Sequence, residues 1–208
     1  MPRINAATIE EHKALTRQRI LDALQTLLVE TESLEGLSLG DVSSVAGIGR
    51  TTVYEYFTDL GDVVATLVEG TLPGVVDDII SESEDIPDPA ERFLTIATGM
   101  ISFVVEDPVL GLILHRAESS LSPDAQSRIA AAHGSLTTAM GDAYRDGVER
   151  KVFSAMPPDV LGALVHDTTM SAAKLVFQSS DARAELDRVL PIVRSFLLNG
   201  LAGKAHQH

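Results

Sequence analysis

The octapeptide that begins at Arg50, Arg-Thr-Thr-Val-Tyr-Glu-Tyr-Phe, carries side chains suited to hydrogen bonding with nucleic acid. A guanidinium can bind guanine O6 and N7 together or hold a phosphate, and Thr51 and Thr52 offer hydroxyls to phosphates and methyl groups to thymine. Helical spacing turns Val53 and Phe57 to the opposite side. The pattern therefore predicts a short helix with one buried face and one face able to contact DNA.

Basic residues are concentrated at the start of the chain, although the chain as a whole is acidic. Its net charge is −14, and residues 61–208 hold 11 basic and 21 acidic side chains. Residues 1–20, in contrast, hold four basic and two acidic side chains. Contacts to phosphate need a local positive edge, while an acidic remainder would repel DNA from unproductive orientations. Because the first sixty residues still hold five basic and nine acidic side chains, we expect modest non-specific affinity.

Lys13 and Arg17, with Arg19 close by, follow the predicted start of the first helix, where they could contact backbone phosphates. The alternative is a solvated helix face on which these side chains pair with Glu10 and Glu11. The sequence fits both interpretations equally well.

Two short helices joined by a glycine turn are predicted around the octapeptide. Ser38 and Asp41 form a Ser-x-x-Asp capping box, which predicts that a helix begins at Leu39. Gly47 can take the left-handed conformation that ends such a helix, and Gly49 can cap the next one. Two short helices joined by a tight turn, the second polar on its free face, describe a helix-turn-helix.

The segment from Ala46 to Phe57, Ala-Gly-Ile-Gly-Arg-Thr-Thr-Val-Tyr-Glu-Tyr-Phe, resembles the DNA-reading segment of the TetR (tetracycline repressor-like) family of transcriptional regulators. Residues 37–42 and 59–63 also fall where the pattern of that family expects them. The likeness covers roughly residues 15 to 68, and the remainder resembles the family only in length and helical character. It implies a protein that binds a palindromic double-stranded DNA operator as a homodimer and responds to a small-molecule effector.

The resemblance also implies roles for individual positions. Tyr54 and Tyr56 fall where the family commonly places aromatic side chains that contact phosphates, although Tyr54 could instead pack in the core. Ser38 is a further candidate DNA contact. The family often has a phosphate-binding lysine at the start of the fourth helix, where this chain has Leu60. Losing that lysine removes one phosphate contact, which implies a lower affinity or a shifted docking.

Elsewhere the sequence predicts helices and no strands, so the predicted fold class is all-α. Several helices open with an Asp-Pro or Ser-Pro pair, which places proline at the first helical position. The predicted helices cover about residues 9–30, 39–46, 50–57, 59–73, 89–104, 108–118, 123–151, 158–177 and 182–199. Thr8 is the predicted cap of the first helix, Pro73 predicts a kink or a restart, and the acidic residues 77–86 a loop.

The chain divides in sequence into a helix-turn-helix DNA-binding domain of residues 1–70 and a helical ligand-binding and dimerisation domain of residues 71–203. Residues 204–208 are expected to be a disordered tail. The last two helices, about residues 158–200, are apolar on more than one side, and such helices need a second partner. In TetR-like proteins the last two helices of each subunit form a four-helix dimer interface, so the resemblance implies a homodimer through this region.

Six residues of the second domain lie on helices that the TetR-like fold arranges around a cavity, where a small molecule could bind. They are Met100, Phe103, His115, Tyr144, His166 and Met170. The alternative for each is ordinary packing, because a methionine or phenylalanine at helical spacing usually belongs to the core and a single histidine usually finds a backbone partner. The chain indicates a pocket but not the identity of its ligand.

Composition argues against several other classes of protein. The chain has no cysteine, so it forms neither disulfides nor thiolate metal sites, and this fits a reducing compartment. Its start lacks a signal-peptide pattern, and its longest apolar run, residues 94–105, is too short to span a bilayer. We therefore expect a soluble, cytoplasmic protein with no membrane partner.

Motifs of common enzymes are also missing from the sequence, which has no Gly-x-Gly-x-x-Gly, Walker loop, nucleophile elbow or His-Glu-x-x-His. We expect no catalytic residue, no metal and no cofactor. The prediction is a ligand-responsive transcriptional regulator, with a repressor favoured over an activator. The alternative, motivated by the net charge and Leu60, is a helical small-molecule-binding or scaffolding protein whose helix-turn-helix no longer binds DNA.

Overall fold

The computed structural model describes residues 6–114 and 121–202. This part of the chain consists of helices joined by turns and loops, and its only β structure is one isolated bridge between Phe153 and Ala202. The predicted all-α fold class is therefore confirmed. In chain order the described helices are α1 (Ala6–Thr31), α2 (Leu39–Ala46), α3 (Arg50–Tyr56), α4 (Leu60–Glu84), α5 (Pro89–Glu106), α6 (Pro108–Leu112), α7 (Pro123–Ala132), α8 (Gly134–Glu149), α9 (Pro158–Gln178) and α10 (Ala182–Leu201). None of them is long and apolar enough to cross a bilayer.

The chain folds into two compact units, and the first comprises the described residues of Met1–Gly70 and Leu112–Ile129. Within it α1 packs on α2, and α2 packs on α3. Val53 and Phe57 are buried, as their helical spacing predicted, and so are the apolar side chains that α1 and α2 turn inward: Ile20, Leu24, Leu27, Leu28, Leu39 and Val42. These residues form the core on which the two short helices are mounted.

The second unit comprises the described residues of Thr71–Gly111 and Ala130–His208, with α5 packed against α8, α9 and α10. Its core contains an aromatic cluster in which the rings of Phe93 and Phe153 meet edge to face at 5.4 Å between centroids. Gly147 makes room for this cluster, because a Cβ at that position would lie 2.3 Å from the Phe153 ring. The second unit is thus a helical body with its own hydrophobic core.

Helix α4 runs without interruption, so the predicted restart at Pro73 and the predicted loop over residues 77–86 are wrong. Proline removes the N–H group that would bond to the carbonyl of Glu69, at a cost of about 3 kcal/mol. Both residues are exposed, so water can reach that carbonyl. On the opposite face Leu72 and Val76 are completely buried. Burial along one face therefore outweighs the local cost of proline.

The single long helix predicted over residues 123–151 is instead two helices, α7 and α8, which separate at His133 and Gly134. The His133 N–H bonds to the carbonyl of Ala130 at 3.2 Å, which closes a tighter turn than an α-helix does. Glycine inside a helix costs about 1 kcal/mol relative to alanine, which favours a break there.

The predicted start of α1 is wrong, and two other predictions concern residues outside the described part of the chain. Helix α1 begins at Ala6, so Thr8 lies within the helix and is not its cap. The predicted end of α6 near residue 118 and the tail of residues 204–208 fall outside the described part of the chain.

Candidate nucleic-acid interface

Ser38 holds the start of α2. Its hydroxyl donates to Asp41 Oδ2 at 2.6 Å and accepts from the Asp41 N–H at 3.4 Å, while Asp41 Oδ2 also accepts from the Ser38 N–H at 2.9 Å. These hydrogen bonds from Ser38 keep the pKa of Asp41 below its ordinary value. The predicted capping box is therefore confirmed. A contact between Ser38 and DNA, which would use the same hydroxyl, stays a prediction.

The turn after α2 is closed by backbone hydrogen bonds. Gly47 has a φ of +62°, in the left-handed region that favours glycine, which confirms its predicted role in ending α2. Its N–H bonds to the carbonyl of Ser44 at 3.3 Å, and the Ile48 N–H bonds to the carbonyl of Ser43 at 3.1 Å. The turn leads within two residues into α3.

Helix α3 presents a polar face and buries an apolar one. Val53 is completely buried and Phe57, which follows the helix, is 2% exposed. The exposed or half-buried side chains are those of Arg50, Thr51, Thr52, Tyr54, Glu55 and Tyr56. Tyr54 is 51% exposed, which argues against the alternative that it packs in the core. The Arg50 guanidinium lies 6.0 Å from the centroid of the Tyr54 ring, so the two side chains form one exposed patch.

The basic side chains of α1 have different surroundings. Lys13 lies 3.3 Å from Glu10 in an exposed pair, a contact worth less than about 1 kcal/mol and easily exchanged for a phosphate. The Arg17 guanidinium lies 5.2 Å from the centroid of the Phe57 ring, and its Nη2 donates to Thr66 Oγ1 at 3.3 Å. These contacts hold the Arg17 guanidinium beside Phe57 at the end of α3, although Arg17 is exposed overall.

The start of α4 differs from what the resemblance to TetR proteins expects. Leu60 is half-buried at the first position of the helix. Asp59 caps the helix, since its Oδ1 accepts from the Asp62 N–H at 2.8 Å. This helix start therefore presents an apolar side chain between carboxylates where the family often has a lysine.

Arg128 of α7 binds α4 within the first unit, a contact that the sequence did not reveal. Its Nη1 donates to Asp62 at 2.7 Å, and its Nη2 and Nε donate to the two carboxylate oxygens of Glu69 at 2.6 and 2.8 Å. Its Nη2 also donates to Thr66 Oγ1 at 3.0 Å, the oxygen that accepts from Arg17. Because the partners are 59 to 66 residues away in sequence, no local pattern could have found them.

The carboxylates of this cluster titrate abnormally. The hydrogen bond from Arg128 is the main reason that the pKa of Glu69 lies below its ordinary value. Burial alone would raise the pKa of Asp62, but hydrogen bonds from Arg128 and Thr58 together lower it. Both carboxylates raise the pKa of Arg128 further above its ordinary value. The cluster therefore stays charged under neutral conditions.

Among the predicted ligand-binding residues, Tyr144 has a clear structural role. It is buried in the core of the second unit, donates to the carbonyl of Ser154 at 2.6 Å and stacks on the ring of Phe153 at 5.6 Å. Burial raises the pKa of its phenol. These contacts favour the packing alternative for Tyr144.

The other ligand candidates range from buried to exposed. Phe103 is buried, Met100 and Met170 are half-buried, and His166 is exposed with its Nδ1 3.3 Å from Asp167. His115 lies outside the described residues. Met100 and Phe103 lie on α5, which packs against α8 and α9, the helices that carry the other described candidates. Their role as ligand contacts stays a prediction. No group of three potential metal ligands occurs among the described residues.

Together these features combine a helix-turn-helix unit with a helical body, an arrangement that is also found in solved structures of TetR-family proteins. The fatty acid degradation regulator FadR from Bacillus halodurans has a TM-score of 0.73 and 18% identity, covering 91% of this chain and 97% of that one. FadR from Bacillus subtilis, in complex with stearoyl-CoA, has a TM-score of 0.69 and 14% identity, covering 86% and 97%. A TetR transcription regulator from Haloarcula marismortui has a TM-score of 0.67 and 17% identity, covering 91% and 99%. The chain therefore has the TetR fold, as the resemblance predicted.

Sequence comparison points to the same class. An uncharacterised helix-turn-helix transcriptional regulator, found in two strains of Mycobacterium tuberculosis, is 27% identical over 96 residues, which are 46% of this chain and 47% of that protein. The chain thus spans about half the length of the curated relatives it matches. No protein-family model matches the chain.

Proposed function

We propose that the protein is a homodimeric, ligand-responsive transcriptional regulator that reads a palindromic DNA operator with α3 and binds a small-molecule effector in its second unit. One observation carries this proposal: Val53 of α3 and Phe57 after it are buried, while Arg50 and Tyr54 stay exposed on a helix that follows the capped α2 and a tight turn. The relatives and structural neighbours, which are transcriptional regulators, support it. We favour a repressor over an activator.

In the proposed complex α3 enters the major groove with its N-terminal residues nearest the base edges, as recognition helices do. Arg50 and Thr51, at its first two positions, would read bases. Phosphate contacts would come from the exposed ring of Tyr54 and from Lys13 and Arg17 on α1. Thr52 and Tyr56, which are half-buried, would add contacts at the edges of this surface.

The proposed dimer contact uses apolar side chains that the single chain leaves exposed on its last two helices. They are Val160, Leu164 and Leu175 on α9 and Ile192, Phe196 and Leu198 on α10. Other residues of the same helices are buried in the second unit, so each helix is apolar on two sides. A two-fold contact through the exposed side would present two copies of α3 to half-sites about 34–36 Å apart.

Effector and operator would compete through a difference in affinity for two states of the dimer. The effector would favour a state in which the two copies of α3 are spaced wrongly for successive major grooves. One structural neighbour, FadR from Bacillus subtilis, was solved in complex with stearoyl-CoA, which supports a response to a small molecule in this chain. Met100, Phe103 and Met170 remain candidate contacts.

Selection from a pool of random DNA duplexes by the full chain tests the proposal. We expect enrichment of a palindrome whose half-sites are one helical turn or a multiple of it apart. Binding of the enriched duplex should weaken linearly with salt on a logarithmic scale, because released counterions measure phosphate contacts. If no sequence is enriched and no duplex is bound even at about 50 mM salt, the chain is instead a helical ligand-binding or scaffolding protein that does not use DNA.

A further inference from the structure

Arg19 of α1 reaches the turn between α2 and α3. Its Nη2 donates a 2.7 Å hydrogen bond to the carbonyl of Ala46, the last residue of α2. The same nitrogen would lie 3.6 Å from a Cβ placed on Gly47, so the guanidinium rests against the turn itself. Arg19 is therefore engaged with protein backbone, although its place among the basic residues of α1 first suggested a phosphate contact.

The bonded carbonyl is one that the turn does not satisfy by itself. A helix leaves its last four carbonyls without helical partners. In α2 the carbonyls of Ser43 and Ser44 accept from the two N–H groups that follow the helix, at 3.1 and 3.3 Å. These bonds do not reach Ala46, and Arg19 supplies the missing donor. A positive charge is also favourable at the C-terminal end of a helix.

The direction of α3 depends on this turn. Helix α3 has seven residues and begins after Gly49, which makes no side-chain capping bond. A helix of two turns is unstable alone, so its direction must come from its tertiary contacts and from the turn that precedes it. A second side chain holds the same turn, since Ser43 Oγ donates to the carbonyl of Ile48 at 2.6 Å. Arg19 and Ser43 thus fix the carbonyls of Ala46 and Ile48, one on either side of Gly47.

We infer that Arg19 is a positioning residue for the recognition helix: it clamps the turn, and so sets the direction in which Arg50 and Thr51 face DNA, without contacting phosphate itself. The part of this inference that concerns DNA, the direction in which Arg50 and Thr51 face it, rests on the proposed DNA-binding function. The clamp itself can be measured without DNA.

Amide hydrogen exchange of the full chain, followed by NMR, tests the clamp. In Arg19→Met the N–H groups of Gly47 and Ile48 should exchange on the order of tenfold faster relative to the N–H of Leu24, because a charge-assisted hydrogen bond is lost. Arg19→Lys, whose ammonium can still donate to the carbonyl, should restore most of the protection. Lys13→Met removes the same charge from the same helix and should leave these amides unchanged.

The ratio to Leu24 separates a local effect from a general loss of stability, which would accelerate all three amides together. If Arg19→Met unfolds the first unit, the same ratio is read in Arg19→Lys, where a smaller local acceleration of the turn amides is expected because lysine restores most but not all of the protection. An unchanged ratio in both variants overturns the inference.

The salt dependence of binding to a selected duplex distinguishes positioning from phosphate contact. Arg19→Met should lower the affinity on the order of tenfold with the salt slope unchanged, whereas Lys13→Met should lower the slope by about one. A slope lowered by about one in Arg19→Met would make Arg19 a phosphate contact and overturn the inference. If the wild-type chain binds no DNA, the proposed function fails while the exchange experiment still decides whether Arg19 clamps the turn.

Discussion

Arg50 is the single side chain on which base recognition should depend most, because it is exposed at the first position of α3. Arg50→Ala should weaken operator binding by about 1–3 kcal/mol and relax the preference at one base pair. Fluorescence anisotropy with the selected duplex measures this. Arg145→Ala, which removes an arginine that is also exposed and is paired with Asp142 in the second unit, should bind like the wild type. Unchanged binding by Arg50→Ala would remove Arg50 from the interface.

Gly47, like Gly36, should tolerate a side chain poorly, because its φ of +62° lies in the left-handed region. Gly47→Ala should destabilise the chain by roughly 1 kcal/mol, since a Cβ is strained in that region. Gly70→Ala, at an exposed helical position where an added Cβ would meet no side chain within 4 Å beyond its chain neighbours, should instead stabilise the chain by up to about 1 kcal/mol. Thermal unfolding by circular dichroism compares the two, and equal melting temperatures would contradict the assigned turn.

At the scale of the elements, Arg128 should hold α7 to α4. Arg128→Met should destabilise the first unit by about 1–2 kcal/mol, because the half-buried Asp62 and the exposed Glu69 lose their charged partner. Arg145→Met breaks an exposed pair and should cost less than about 0.5 kcal/mol. Urea unfolding measures both. A double-mutant cycle of Arg128→Met with Asp62→Asn should give a positive coupling energy, and additive effects would disprove the contact.

The same cluster predicts how stability depends on pH. The pKa values of Asp62 and Glu69 are lowered in the folded chain, so their contribution is complete above the unfolded values and is lost as the pH falls through the folded ones. Stability should therefore fall below about pH 4. Arg128→Met should show a smaller fall over the same range, since its carboxylates have more ordinary pKa values. If the stability of the wild type and of Arg128→Met fell by the same amount over this pH range, the Arg128 cluster would not be the cause of the fall.

For the whole molecule, the exposed apolar side of α9 and α10 should decide the oligomeric state. Phe196, 63% exposed, should lie in the proposed interface, so Phe196→Glu should raise the dimer dissociation constant at least about tenfold. Val29→Glu changes an equally exposed apolar residue, 65% exposed on α1, and should leave the dimer intact. Sedimentation equilibrium measures both chains. A dimer unaffected by Phe196→Glu would place the interface elsewhere.

Operator binding should follow the dimer. Because one short helix alone seldom supplies specific affinity, monomeric Phe196→Glu should bind the palindrome far more weakly than the wild type while a single half-site is bound equally by both. If a monomeric variant bound the palindrome as tightly as the wild type, the proposal that two copies of α3 bind the two half-sites together would be wrong.

The sequence alone was sufficient for the helix-turn-helix, because the signals that form it act over a few residues. The Ser38–Asp41 cap and the left-handed Gly47 lie within ten positions, and the alternation of Val53 and Phe57 with polar residues requires only helical geometry. The all-α class followed in the same way from repeated proline-led helix starts.

Tertiary structure decided the features in which distant residues meet. Local propensity argued for an interruption at Pro73, but continuous burial along one face carried α4 through it. Arg128 contacts Asp62 and Glu69, which are 66 and 59 residues away in sequence. Arg19 donates to the carbonyl of Ala46, 27 residues away, although it lies near Lys13 and Arg17 in sequence. A local pattern describes what a helix can present. The tertiary structure decides which of these side chains form hydrogen bonds or ion pairs within the chain and which remain exposed, because the partners come from distant parts of the sequence.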